Sequence, residues 1–245
     1  MIRRKPKYAL PLILVCQFLL TDLSPAEAAT IVFDRVTTVG TSVYLKVLTK
    51  GRLFSQGGKR VTFYLDGKPL GKTLTGGDGY GYLKYTPERK GIQNIEVRAD
   101  EDKGSGRILV LAKDEKAIVL EIEGSLKPSL YSEDIRSEGR EAVSTLIRSH
   151  KIIYLNRFFD TGLSKKWLEK EKFPPSVIMR WRGSGSFAYL KEQGVNLWVF
   201  IGSAALISAS TEYFEKSYTF EETEKGKKVD DWSEVVKLLL DDEKK

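Results

Sequence analysis

The stretch Val119-Leu120-Glu121-Ile122-Glu123-Gly124-Ser125-Leu126 decides the fold of the second half of the chain. It continues an apolar run from Ala117, and a continuous apolar run is typical of a strand buried in a parallel sheet. Glu121 and Glu123 end this run two residues apart, and residues i and i+2 of a strand share a face. The stretch therefore predicts a buried parallel strand with two neighbouring carboxylates at its carboxyl end.

Strands and helices are expected to alternate from this stretch to the carboxyl terminus. Apolar runs predict further buried strands at residues 152–155, 177–179 and 197–201. Apolar residues at helical spacing predict helices within residues 136–149, 164–172, 187–193 and 232–240. This alternation predicts an α/β domain over residues 115–240, whose parallel sheet is covered on both faces.

The order of the sequence motifs in residues 115–240 resembles that of the haloacid dehalogenase-like (HAD-like) superfamily. Residues 119–126 resemble its first motif, an apolar strand ending Asp-x-Asp-Gly-Thr-Leu. Residues 153–158 are similar to its second motif, a strand ending in Thr or Ser, and residues 199–203 to its fourth, which ends Gly-Asp. The resemblance implies a HAD-like (Rossmannoid) fold. In an active member, it implies a phosphoester hydrolase in which the first Asp attacks phosphorus and Mg²⁺ is bound between the first and fourth motifs.

The residues that carry the chemistry of those motifs are replaced in this chain. Glu121 and Glu123 stand where the family has Asp, and each side chain is one methylene longer. Asn156 replaces the hydroxyl residue of the second motif, and Ser203 replaces the Asp of the fourth. A displacement of about 1 Å at a reacting group can cost on the order of 100-fold in rate. These departures predict a degenerate HAD-like domain, a pseudoenzyme that has kept the frame and lost the phosphatase chemistry.

We expect the candidate site at the carboxyl ends of the parallel strands, as in other open α/β sheets. Its candidate residues are Glu121, Glu123, Ser125, Asn156, Arg157 and Ser203, with Arg180 and Arg182 at the rim. Two interpretations stay open, a ligand site and a plug in which an Arg neutralises the two Glu side chains, and the plug is favoured. No cofactor is expected. Glu121 and Glu123 would hold Mg²⁺ only if the chain were a residual phosphatase.

Residues 30–113 have a different pattern, in which short strands alternate with turns. Runs rich in β-branched and aromatic residues are separated by Asp66-Gly67 and Gly76-Gly77-Asp78-Gly79, which suit tight hairpins. This pattern predicts an antiparallel β-sandwich. Residues 58–67, 70–73 and 77–80 also resemble bacterial immunoglobulin-like domains of cell-surface proteins. That resemblance implies a spacer or binding module.

Residues 1–28 have the features of a secretory signal peptide. A basic start is followed by an apolar run of about 12 residues, whereas a helix that spans a bilayer needs about 20. Ala26 and Ala28 provide the small residues of a cleavage site, so we expect cleavage after Ala28. The mature chain would lack the single cysteine, Cys16, and would have no transmembrane segment. Its expected location is the periplasm, the extracellular space or the cell surface.

The charge and composition restrict the classes of function. The formal net charge is +7, and residues 30–113 hold 15 Lys and Arg against 8 Asp and Glu. Attraction to an anionic envelope surface or to a protein partner follows, and no nucleic acid partner is expected outside the cytoplasm. One Cys and one His exclude thiolate zinc sites and the usual histidine-rich metal centres.

The sequence favours an exported protein with a non-catalytic binding or scaffolding role. A residual periplasmic phosphatase and an adhesin that binds only through its sandwich remain as alternatives.

Overall fold

The structure is a computed structural model that describes residues 29–242 except residues 53, 101, 130, 131 and 159. The predicted signal peptide at residues 1–28, with Cys16, lies outside the described residues. Residues 29–111 form a β-sandwich, and residues 116–242 form an α/β part with a parallel sheet.

The sandwich is built from eight strands in two sheets. In spatial order, the three-stranded sheet contains β1 (Ala29–Phe33), β3 (Val43–Lys50) and β6 (Tyr80–Tyr85). The five-stranded sheet contains β2 (Arg35–Thr38), β8 (Asp102–Leu111), β7 (Gly91–Ala99), β4 (Arg60–Leu65) and β5 (Lys68–Leu74). Alternate residues of these strands, among them Leu45, Phe63 and Val97, fill the core between the two sheets. The structure thus confirms the predicted sandwich.

The turn at Asp66-Gly67 joins β4 to β5. Asp66 has φ +46° and Gly67 has φ +81°, the left-handed conformations that a tight two-residue hairpin needs. The register pairs Leu65 with Lys68 directly across this turn. The Asp-Gly dipeptide therefore sets this hairpin, as the sequence predicts.

One strand pair departs from the predicted antiparallel arrangement. β2 runs parallel to β8, with Arg35 opposite Ile108. The reason is that the chain leaves the three-stranded sheet at Phe33 and enters the five-stranded sheet at Arg35 without reversing direction. Asp34 is the residue at this change of sheet.

The α/β part contains a six-stranded sheet in which every neighbouring pair is parallel. In spatial order its strands are β11 (Val177–Arg180), β10 (Lys151–Asn156), β9 (Lys116–Glu121), β12 (Asn196–Ile201), β13 (Lys216–Thr219) and β14 (Lys227–Lys228). The helices are α1 (Gly139–Leu146), α2 (Thr161–Lys170), α3 (Gly185–Glu192), α4 (Ala204–Ser208) and α5 (Trp232–Asp242). The sequence predicts β9 to β12 and four of these helices. β13, β14 and the short α4 are additions, since their runs are too short or too polar to show a period.

Two apolar cores cover the two faces of the parallel sheet. On one face α1, α2 and α5 pack through residues such as Val143, Trp167 and Trp232. On the other face α3 and α4 share a core with the sandwich residues Val36 and Leu109. The sandwich therefore helps to bury one face of the sheet. Within residues 29–242 as described, no helix combines the length and the apolar character that crossing a bilayer requires.

Candidate functional site

The topology brings three strand ends together. β9 lies between β10 and β12, with Leu155 opposite Glu121 on one side and Ile201 opposite Leu120 on the other. After Glu121 the chain makes a single π-helical turn at residues 122–126, which places Glu123 at the same edge of the sheet. Because the carboxyl ends of parallel strands meet at one edge, polar residues that are distant in sequence become neighbours here.

Glu121 is held by groups from both neighbouring strand ends. Its Oε2 accepts hydrogen bonds from the backbone N–H of Ser203 at 2.6 Å and from the Ser203 hydroxyl at 2.7 Å. Nη1 of Arg157 lies 3.7 Å from the other carboxylate oxygen, Oε1, and donates to Ser203 Oγ at 3.3 Å. The Glu121 side chain is 1% exposed. We call Glu121, Glu123, Arg157 and Ser203 the carboxylate cluster.

Two glycines enclose the Glu121 carboxylate. A Cβ at Gly124 would lie 2.4 Å from Glu121 Oε2 and 2.4 Å from the backbone nitrogen of Ser203. A Cβ at Gly202 would lie 2.7 Å from the same carboxylate oxygen. Real Cβ atoms do not approach other heavy atoms this closely, so only glycine fits at either position. The carboxylate is thus in contact with the backbone on two sides.

The Glu123 carboxylate accepts hydrogen bonds from the backbone at the end of β10. Its Oε2 accepts from the N–H of Arg157 at 3.1 Å. Burial raises the pKa of Glu123, and the N–H groups of Arg157, Glu123 itself and Phe158 lower it in part. Amides that follow a strand are ready donors for a bound anion, and here a side chain of the same protein is bound to them. Glu123 Oε1 is buried and has no hydrogen-bond partner among the described residues.

The two remaining candidates, Asn156 and Ser125, have structural contacts. Asn156 is fully buried at the end of β10, and its Nδ2 donates to the hydroxyl of Ser164 in α2. Its Oδ1 has no hydrogen-bond partner among the described residues. The Ser125 hydroxyl donates to the carbonyl of Glu121 at 2.7 Å, and this bond closes the 122–126 turn. Ser125 therefore stabilises the turn, and its hydroxyl donates to the Glu121 backbone carbonyl and not to the carboxylate.

A cavity of about 310 Å³ lies between the 122–126 turn and α2. Its lining includes Glu123, Ser164, the apolar residues Ile122, Leu163 and Trp167, and Lys127, Lys166 and Lys170. Glu121 is not among the residues that line it. The open volume next to the cluster thus borders Glu123, and the Glu121 carboxylate does not face it.

The residues of the cluster do not fit a Mg²⁺ site. Mg²⁺ needs nearly octahedral oxygen ligands, but the Glu121 oxygens face two Ser203 donors and a guanidinium. Ser203 adds only a hydroxyl to the cluster and no further carboxylate. No group of three or more His, Cys, Asp or Glu suited to a metal ion occurs in the described part of the chain.

The burial of Glu121 predicts a pH dependence of stability. Burial raises the pKa of Glu121 above its usual 4.5, against the lowering effect of the Ser203 hydrogen bonds and the Arg157 charge. The folded state therefore holds this proton more tightly than the unfolded state, and the wild type loses stability as pH rises from the unfolded pKa through the folded pKa. Glu121→Gln has no proton to lose, and its amide oxygen can still accept from Ser203.

We therefore expect the difference in unfolding free energy, Glu121→Gln minus wild type, to increase as pH rises through this window and then to level off. Urea unfolding between about pH 4 and pH 8 measures it. Glu224→Gln, at an exposed position, is the control and should show no such increase. A difference that falls as pH rises would contradict the prediction.

Comparisons with known proteins give likenesses to parts of solved structures. The chain is similar to the CARDB domain of PF1109 from Pyrococcus furiosus, with 16% identity, a TM-score of 0.29, and coverage of 35% of this chain and 94% of that chain. It is similar to the Yersinia pseudotuberculosis adhesin InvE, with 13% identity, a TM-score of 0.30, and coverage of 36% and 33%. It is also similar to the D0-D1 domain of intimin, with 13% identity, a TM-score of 0.29, and coverage of 37% and 51%. No family model and no curated protein matches the chain.

The structure places four of the six candidate residues, Glu121, Glu123, Arg157 and Ser203, in one set of contacts. Sequence reasoning missed Ser164 as the partner of Asn156, and it missed the close approach of Gly124 and Gly202 to a carboxylate. The glycines at the two strand ends were the available signal, because a glycine beside a buried polar group indicates close packing of the backbone.

Proposed function

We propose that this chain is an exported protein with a binding or scaffolding role at the cell envelope, and that its degenerate HAD-like part does not hydrolyse phosphoesters. One observation supports the proposal above the others. Glu121, the residue in the position of the family's nucleophile, is buried and bound by Ser203 and Arg157. Its charge and hydrogen-bonding capacity are used inside the protein.

Nucleophilic attack requires a free lone pair within about 3–3.5 Å of phosphorus. On Glu121, Oε2 is occupied by two donors, and the backbone at Gly124 and Gly202 is packed against it. The amides at the end of β10, which could hold a phosphoryl oxygen, are bound to Glu123. A substrate would have to displace both carboxylates and the bonds that hold them. The cluster is consistent with a plug that stabilises the fold at the edge where family members have their active site.

The envelope location is inferred from the sequence. The features of residues 1–28 indicate export, and the excess of basic residues in residues 30–113 favours an anionic partner. The immunoglobulin-like resemblance of the sandwich fits a spacer or binding module. On this proposal the sandwich makes the contacts with partners.

The proposal predicts no phosphatase activity. Purified mature protein with Mg²⁺ and p-nitrophenyl phosphate should release p-nitrophenol no faster than Glu121→Gln, with Glu224→Gln as the control at an exposed site. Wild-type turnover that depends on Mg²⁺ and is lost in Glu121→Gln but kept in Glu224→Gln would overturn the proposal. It would favour a residual phosphatase instead.

A further inference from the structure

The outer face of the three-stranded sheet carries aromatic and basic side chains. Lys46 on β3 lies between Phe33 on β1 and Tyr82 on β6 in the strand register, and Tyr44 lies opposite Lys84. Tyr80, two residues before Tyr82, projects from the same side of β6. We call Phe33, Tyr44, Lys46, Tyr80, Tyr82 and Lys84 the aromatic–lysine face.

The aromatic rings of this face surround the Lys46 ammonium. Lys46 Nζ is 3.9 Å from the ring centroid of Tyr80, 5.1 Å from that of Phe33 and 5.7 Å from that of Tyr82. The Tyr80 and Tyr82 rings are stacked with centroids 6.4 Å apart. Such contacts hold a cation over ring faces and fix the rings in place. The face is therefore an ordered platform.

The outermost rings are open to solvent. Tyr44 is 59% exposed and Tyr82 is 48% exposed, although an exposed strand face is normally polar. Aromatic rings that lie side by side on a sheet face and are open to solvent are unusual on a protein surface. Such patches mark interaction sites.

In the part of the chain that the structure describes, the positive charges on and beside this face have no carboxylate at salt-bridge distance. Lys46, Lys84 and Arg182 form no salt bridge among the residues that the structure describes. Burial lowers the pKa of Lys46, the nearby charges of Arg182 and Arg35 lower it further, and Asp78 partly opposes them. The Lys46 ammonium thus lies in the positive field of two guanidinium groups, and this field attracts an anion. Arg182 follows β11 and its charge acts on Lys46, so the α/β part adds positive charge near this face.

We propose that the aromatic–lysine face, together with Arg182, binds an acidic polysaccharide. The C–H faces of sugar rings can pack on the exposed tyrosines, and carboxylate, sulfate or phosphate groups of the polymer can pair with the unpaired cations. This inference rests on the proposed envelope role, because export brings the chain to acidic glycans and away from nucleic acids. The exposed rings of the face, Tyr44 and Tyr82, carry hydroxyl groups, and no residue of the face is aliphatic, so a glycan chain fits it better than the interior of a lipid layer.

The test uses two acidic probes, polygalacturonate and dextran sulfate, with amylose as the neutral control. By calorimetry, the mature full chain should bind at least one acidic probe saturably, bind amylose not at all, and lose affinity as salt rises. Tyr82→Ala and Arg182→Ala should each weaken binding on the order of tenfold. Tyr82→Phe should bind like the wild type, since the ring and not the hydroxyl makes the contact.

The other sheet provides a matched control. Arg98 is an exposed arginine stacked 4.5 Å over the Tyr64 ring, but it is salt-bridged to Glu96 at 2.6 Å. Arg98→Ala should leave glycan binding unchanged. No saturable binding to either acidic probe would overturn the proposal, as would equal losses in Arg182→Ala and Arg98→Ala. Tighter binding to poly(dT) or to phosphatidylglycerol vesicles would also overturn it in favour of another partner. None of these outcomes depends on phosphatase activity, so the two proposals fail separately.

Discussion

Gly124→Ala should lower the free energy of unfolding by about 3 kcal/mol, the upper part of the usual range for a side chain forced into a packed site. The added methyl would lie 2.4 Å from Glu121 Oε2 and 2.4 Å from the backbone nitrogen of Ser203. Neither atom can move away freely, because the Ser203 N–H donates a hydrogen bond to Glu121 Oε2. Relief of the clash must therefore separate Glu121 from Ser203, and a buried carboxylate would lose its donors.

Gly185→Ala is the control for this substitution. Gly185 begins α3, and a Cβ there would meet nothing within 4 Å. Alanine is the better helix former by up to about 1 kcal/mol, so this variant should be as stable as the wild type or slightly more stable. Urea unfolding followed by tryptophan fluorescence compares the two. Equal stabilities for Gly124→Ala and wild type would show that the carboxylate cluster is not closely packed.

Asp34→Ala should destabilise the protein by about 3 kcal/mol, because it removes the acceptor of two backbone amides. Asp34 Oδ1 accepts from the N–H of Arg107 in β8 at 2.7 Å, and Oδ2 accepts from the N–H of Ile178 in β11 at 2.8 Å. One carboxylate therefore joins the sandwich to the edge strand of the parallel sheet. Burial raises the pKa of Asp34, a cost that these two hydrogen bonds partly offset.

Two variants separate this role from a general loss of charge. Asp34→Asn keeps one acceptor and places a donor against the other amide, so its effect should be intermediate. Asp114→Ala, at an exposed position, should change stability by less than about 0.5 kcal/mol. Hydrogen exchange at the Ile178 amide should quicken in Asp34→Ala while exchange at the centre of β9 does not. Unchanged protection at Ile178 would contradict the assigned role.

The elements with a strong period could be predicted from the sequence. The run ending at Glu121 predicts a buried parallel strand, and Asp66-Gly67 predicts a hairpin. Both follow from local physics, namely burial on two faces and left-handed turn residues. The parallel pairing of β2 with β8 could not be predicted, because it depends on a change of sheet at Asp34 that leaves no periodic mark.

The sequence predicts which residues meet at the candidate site, but it predicts only part of the contacts between them. The strand-end rule brings Glu121, Arg157 and Ser203 to one edge. It does not show that Ser203 would supply two donors to one carboxylate oxygen, or that Glu123 would bind the amide of Arg157. Such details depend on side-chain rotamers and on close backbone approach, which sequence spacing does not specify.

The core shared by β2, β8 and the parallel sheet also determines how the chain can be divided. Residues such as Val36 and Leu109 would be exposed to water if the chain were cut between its two parts, and the sheet face that they cover would be exposed as well. The sequence pattern changes near residue 114, but we expect the parts on either side to unfold together as one cooperative unit. Recombination that exchanged one half for an unrelated domain would have to replace this apolar contact, so the two halves are expected to be inherited as a pair.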